Sequence, residues 1–234
     1  MIVRPSNRGV IHLITQPDHA ALARRIMEHW QPLAEEKRRD SILRAVEHHD
    51  WGWGPPDADP DIDDHGRIQD FIGIGIEVRQ GVWPRSVANL ETEDPWAAAL
   101  VANHAVTVYG RFRDDPEWAD FFADLSAHRD RLVRQARRKH EDMLADYHYV
   151  RLGDLISLAF CTTTMDDMQY EHWHVRVKDD RVVVTPSALD VPELAFEVRA
   201  VELPDRPFES AHDLREAIAS APRKVLAGEV AGQA

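Results

Sequence analysis

The sequence predicts a mainly α-helical protein: a helical bundle over residues 1–168, then a small C-terminal antiparallel β appendage with a short terminal helix over 169–234, packed on the same body. Three observations predict it. Apolar residues recur at 3- and 4-residue spacing through most of the chain up to Met165. Helix start signals stand before those runs, at Thr15-Gln16-Pro17-Asp18, Asp94-Pro95 and Asp115-Pro116. After Gln169 the period changes to 2, across residues 172–177 and 181–185.

Taken in order, Val10-Ile11-His12-Leu13 reads as a brief strand or an extended lead-in. The Thr15 cap, with an acid three residues on, opens a helix carrying His19, Leu22, Ala23, Ile26 and Trp30 on one stripe. A second helix over residues 35–50 has Ile42, Val46, His49 and Asp50 inward, while His48 falls on the solvated side with Ser41 and Arg44. Residues 52–64 are rich in Pro, Gly and Asp and read as a loop bordering whatever His49 and Asp50 face. Its alternating aspartates, Asp57, Asp59, Asp61, Asp63 and Asp64, lack the glycine and closing glutamate of a calcium loop and read as solvated. Residues 68–90 read as helical, because Phe71, Ile74, Val78 and Val82 recur at helical spacing despite three glycines.

Asp94-Pro95 opens a helix with Trp96, Leu100, Val101, His104 and Val108 on one face. Asp115-Pro116 opens a long helix with Trp118, Phe121, Leu125, Leu132, Met143 and Tyr147 inward, and His128 and His140 near that stripe. Residues 152–165 form the most apolar helix, and Asp154 sits inside it. A hairpin turning at Lys178-Asp179-Asp180, a third antiparallel strand over 195–202, a short helix over 211–219 and a frayed tail complete the reading. His172 and His174 share a strand face and read as hairpin packing away from the helical histidines.

At 234 residues, 44% hydrophobic, the chain can bury a sizeable core. Its net charge of −13, from 41 acidic against 28 basic residues, argues against polyanionic partners, so neither nucleic acid nor a membrane surface is expected. Cys161 is the only cysteine, lies in an apolar run, and reads as an inert buried thiol rather than a nucleophile. No stretch reaches the roughly 18 apolar residues of a membrane span, and no basic leader precedes an apolar core. A reduced, cytoplasmic, soluble protein is expected.

The chemistry lies in polar residues placed where the core should be: His19, His49, Asp50, His104 and Asp154. An ionised carboxylate in an apolar helix costs several kcal/mol unless a charge or several donors satisfy it. On its own helix only Arg151 stands within a turn of Asp154. A divalent cation would resolve the cost, and imidazole with carboxylate is the donor set of zinc, iron, manganese or nickel rather than calcium. Trp51 and Trp53, directly after Asp50, read as packing residues that could wall the pocket. Arg24, Arg25 and Arg111 are the cations that could reach in from neighbouring turns.

The order His19, His49-Asp50, Asp154 resembles the HD-domain superfamily of metal-dependent phosphohydrolases, whose signature is H…HD…D on a helical bundle. The wording Ile14-Thr15-Gln16-Pro17-Asp18-His19, His49-Asp50-Trp51-Gly52-Trp53, Asn103-His104 and Leu152-Gly153-Asp154-Leu155 also looks like an uncharacterised HD-like family of unknown function. This resemblance covers most of the chain. It implies His19, His49, Asp50 and Asp154 as metal ligands, and His104 as the additional histidine of members holding two metals. Asp50 and His104 are then the residues expected to act in catalysis. Members with two ions usually carry one histidine more, for which His128 and His140 are the candidates. The expected cofactor is one or two divalent transition-metal ions (Fe, Mn, Zn or Ni), and the expected partner a small, phosphorylated substrate. The expected activity is metal-dependent hydrolysis of a phosphoester by a metal-activated water. Two alternatives stand beside it: a di-iron oxygenase of the HD-like type, and a non-catalytic metal- or ligand-binding module.

Overall fold

Strands from both ends of the chain meet in one sheet. The computed structural model describes residues 1–6, 8–178 and 180–232. Its strands are β1 (Ile2–Pro5), β2 (Val10–Ile14), β3 (Asp167–Tyr170), β4 (Trp173–Lys178), β5 (Arg181–Thr185), β6 (Glu193–Pro204) and β7 (Arg223–Gly232). They lie in the order β1-β2-β6-β7-β5-β4-β3, each pair antiparallel except β5 with β7. The helices are α1 (Gln16–Glu28), α2 (Gln31–Ala34), α3 (Arg39–His48), α4 (Gly54–Ala58), α5 (Ile76–Leu90), α6 (Pro95–Val108), α7 (Ala119–Gln135), α8 (His140–Thr162) and α9 (Ala211–Ser220).

With 52% of residues helical and about 22% in a seven-stranded mixed sheet, this is an α/β fold; the expectation of a mainly α, all-α bundle with a small β appendage is wrong. The unforeseen strands are β1, β3 and β7, while β2 matches the brief strand read at Val10–Leu13. β1 and β2 are short and sit some 190 residues from β6, the strand that β2 pairs with through His12↔Glu202 and Ile11↔Leu203. The supposed frayed tail is β7, which lies between β6 and β5. Its Arg223-Lys224 start and two glycines hide the strand pattern. Gly228 is required there: a Cβ would stand 2.5 Å from Phe160 and 2.6 Å from Phe196.

Other readings shift in detail. Helix is confined to 76–90 in the stretch 68–90, so the glycines at 73 and 75 keep the preceding segment irregular. The long helix after Asp115 is two helices, α7 and α8, broken where Arg137 takes φ 56°. α8 continues through residues 152–162, so the predicted apolar helix is its second half. The hairpin β4–β5 forms, with residue 179 of its turn outside the described residues.

β6 alternates strictly, with Leu194, Phe196, Val198 and Ala200 buried between exposed Glu193, Glu197 and Arg199. Helices α1 and α8 cover that face. At its far end the opposite face carries a smaller cluster of Ile11, Leu13, Leu203 and Leu214 beneath α9. α8 is buried nearly all round from Leu152 to Thr162, because it touches α1, α3 and α6 on one side and strands β1, β3, β4 and β5 on the other. Gly153 permits the approach to the helices: a Cβ there would stand 2.8 Å from Met27 of α1 and 3.4 Å from Val46 of α3. The main core therefore runs unbroken from helices to sheet.

Phe160 is the side chain that joins the layers; it is fully buried, with its ring edge-on to Phe196 at 4.7 Å. Phe160→Ala is expected to cost about 3–5 kcal/mol. Urea unfolding followed by far-UV circular dichroism and by tryptophan fluorescence should shift as one coincident transition. Two separate transitions, with the helical signal unmoved, would contradict a shared core.

Candidate metal centre

Four helical segments each deliver one piece of the site. Thr15 caps α1 by accepting the Asp18 N–H at 3.1 Å, which fixes the first turn and places His19 inward, fully buried. α3 ends at His48, and His49 and Asp50 follow as the chain turns into the 3₁₀ turn Trp51–Trp53. His49 is fully buried whereas His48 is half-exposed, as helical phase predicts. Asp94 caps α6, whose face carries His104 into the interior. Asp154 comes from the middle of α8.

All five residues converge. His19 Nε2 lies 3.2 Å from His49 Nε2, 3.3 Å from Asp50 Oδ2 and 3.4 Å from Asp154 Oδ1. His49 Nε2 lies 3.4 Å from Asp50 Oδ2 and 3.6 Å from Asp154 Oδ1. His104 Nε2 stands 3.7 Å from Asp154 Oδ2, and its ring centre is 4.9 Å from that of His49. Of these, His19, His49 and Asp154 form a group that could hold a metal ion; Asp50 Oδ2 lies as close to both imidazoles, and His104 stands farther out. Donors that share an ion at about 2.1 Å are separated by about 3.0 Å in an octahedral and 3.4 Å in a tetrahedral arrangement. The observed spacings fit that requirement.

The imidazoles are also oriented for it. His49 Nδ1–H donates to the Val46 carbonyl at 2.7 Å, leaving Nε2 to face the cluster. The Ser157 hydroxyl donates to the Asp154 carbonyl at 3.0 Å and so accepts from His19 Nδ1–H at 2.8 Å. Both Nε2 atoms are thereby turned toward one point, the outer-sphere arrangement typical of metal-binding histidines. Tyr147 Oη lies 3.3 Å from His104 Nδ1. Ser157 is three residues from Asp154, so helical spacing alone would have put it on the same face.

Electrostatics show what the cluster lacks. Burial disfavours charge on His49, yet the Asp50 charge and the bond to Asp154 override it and raise the pKa to about 9. Burial likewise works against His19, but hydrogen bonds to Asp154 and Asp50 raise its pKa well above the usual value. Burial would raise both carboxylates, and the facing imidazoles instead pull Asp50 and Asp154 below the ordinary range. His104, burial being its largest influence, is pushed down to about 3 and is neutral. The two carboxylates thus favour positive charge between His19 and His49, charge that a divalent cation would supply. Arg151, the one cation foreseen beside Asp154, is also present, with Nη1 at 2.5 Å from Oδ2. It meets one carboxylate oxygen and leaves the other to the imidazoles.

Asp50, His104 and Asp154 open onto a cavity of about 200 Å³ whose walls include Trp53, Trp83 and Tyr109. Arg111 lines it as foreseen, together with Arg79, Arg151 and Gln16, of which Arg79 and Gln16 carried no sequence signal. Arg24 is instead engaged by Glu28 and Glu47, and Arg25 by the Ala195 carbonyl. His128 pairs with Glu91 at 2.7 Å and His140 is exposed at the start of α8, so neither joins the cluster. Trp51 is exposed and only Trp53 walls the cavity. Asp57 departs from the solvated-loop reading: it is buried and accepts the Gln16 N–H at 2.6 Å. Cys161 is buried and free, as its apolar run predicts.

Fold and site together define an α/β protein with a buried histidine–carboxylate group able to hold a metal ion. The chain belongs to the family described as a protein of unknown function (DUF3891), whose model matches residues 1–205 and so spans every residue of the cluster. No curated protein and no solved structure matches it. Among the described residues, no helix is long and apolar enough to cross a membrane.

Because ligand imidazoles must lose their protons to bind a cation, metal uptake should release protons from His19 and His49. The apparent affinity for zinc should therefore climb with pH up to and through about 9, where His49 is half deprotonated. Calorimetry at pH 7 in buffers of different ionisation enthalpy measures the release directly. A proton count of zero, with affinity flat from pH 6 to 9, would contradict this arrangement.

Proposed function

We propose that this chain is a metal-dependent hydrolase of a phosphoester, with His19, His49, Asp50 and Asp154 holding the ion in the order of the HD signature. The observation that supports it is the convergence of oriented imidazole and carboxylate donors at the end of a cavity that also presents arginines. A divalent cation bound there would act as a Lewis acid and lower the pKa of a water molecule. The chain supplies the rest. Arg151 holds Asp154 by one oxygen and keeps the other turned toward His19 and His49. Asp50 lines the cavity as well as facing the imidazoles, and in this reading it also accepts the proton of the attacking water. His104, neutral and steadied by Tyr147, is placed to hydrogen-bond the ester oxygens. Trp53 and Trp83 restrict bulk water around the reacting group.

The di-iron alternative needs a further inward histidine, and both candidates stand outside the cluster. The test uses protein purified without added metal, assayed by elemental analysis, by turnover of p-nitrophenyl phosphate and nucleotides, and by dioxygen consumption. One ion of zinc, manganese, iron or nickel per chain is expected, with phosphoester turnover that falls at least about a hundredfold, along with metal content, in His49→Ala and Asp154→Ala. Two irons with dioxygen consumption would replace hydrolysis by oxygen chemistry. Full metal occupancy with no turnover of any kind would make the chain a binding module. Full metal content in both variants would overturn the site.

A further inference from the structure

The cavity carries a cationic feature that the metal cluster does not use. Arg79 and Arg111 both line it, and both lean on one aromatic platform. Phe112 and Trp118 stack at 4.9 Å and 6°. The Arg79 guanidinium carbon lies 5.5 Å from each ring centre, and that of Arg111 lies 4.7 Å from Phe112. Such cation–π contact holds a guanidinium group in place without using up its N–H donors. No described acidic residue forms an ion pair with either one, and Arg79 Nε is buried without a hydrogen-bond partner. Some of the chain's other arginines are met by carboxylates, Arg38 by Asp146, Arg67 by Asp205 and Arg215 by Asp59. The buried, unpartnered Nε of Arg79 at the cavity wall, with Arg111 beside it, is open to an anion.

Further orphaned polar atoms belong to the same cavity wall. Gln16 Oε1 and Trp83 Nε1 are buried and unpartnered, each a group that costs free energy until something meets it. The remaining wall is apolar or aromatic, with Phe71, Val108, Tyr109 and Leu158.

We propose that Arg79 and Arg111 form an oxyanion-binding subsite, so that the molecule taken into this cavity carries a phosphoryl or carboxylate group joined to a flat apolar portion that lies against Trp83 and Tyr109. The forked N–H edges grip the anion, and the aromatic wall takes the ring. This goes beyond the hydrolase reading and stands without it, because no ion is needed for the arginines to bind.

The test is calorimetric binding to the chelator-treated full chain, with phenyl phosphate, benzoate and phenol as probes. Phenyl phosphate or benzoate should bind and phenol should not, and the better of the two anions distinguishes phosphoryl from carboxylate. Binding should weaken with added salt, and Kd should rise about tenfold or more in Arg79→Gln and in Arg111→Gln. Arg215→Gln, remote and surface-paired, should leave it unchanged. Arg111 is exposed, so its substitution tests the subsite without threatening the fold. Equal affinity of the parent and Arg111→Gln, tight binding of phenol, or no saturable binding of either anion would overturn the proposal. Arginine-dependent binding without turnover would leave this subsite standing and fault the hydrolase reading alone.

Discussion

The carboxylate of Asp154 lies at the centre of a helix that has no solvent-facing side over its second half, and the rest of the site is arranged around that charge. α8 carries a second buried acid two turns earlier, and the pair makes an instructive contrast. Asp146 is met by an Arg38 fork and by the Trp96 indole N–H at 2.8 Å, a set that satisfies it permanently. Asp154 receives one arginine contact on one oxygen and faces imidazoles with the other. Buried ions cost several kcal/mol each unless compensated, and compensation by groups that can give up protons is conditional on what else enters. That conditional pairing distinguishes a site able to bind a cation from a structural ion pair.

The sheet makes this placement rigid. α8 is pressed from below by β6 and its neighbours through Phe160 and Phe196, and from above by α1 and α3 across Gly153. Its position is set by packing on both sides, so Asp154 and Ser157 are held at fixed heights relative to His19 and His49. A carboxylate presented by a helix with one free side would have room to relax away from the imidazoles. The seven strands therefore serve the site even though none of the converging residues lies in one.

The cluster was legible in the sequence because helical phase is local. His49 separates from His48 by one step of 100°, and Asp154 stands out as a charge in an apolar run. The fold class was not legible, because the sheet depends on pairings the local pattern does not encode. β1 is too short to show a period, and β2, legible as a brief strand, pairs with β6 far along the chain. β7 begins with two basic residues and uses glycine where Phe160 and Phe196 leave no room, so it reads as a tail although its place is inside the sheet. Arg79 and Gln16 were invisible for a related reason: their significance comes from partners they lack, which only the folded chain reveals. Asp57 shows the converse, an acid in a run of acids that the fold buries to hold the Gln16 amide.

The central claim is that a cation belongs between His19, His49 and Asp154. An anomalous-scattering map from crystals of protein purified without chelator, recorded at the iron, manganese, nickel and zinc edges, tests it most directly. The account predicts a peak about 2 Å from His19 Nε2, His49 Nε2 and Asp154 Oδ1. Metal found by elemental analysis in the same crystals, but scattering from elsewhere in the molecule, would contradict it.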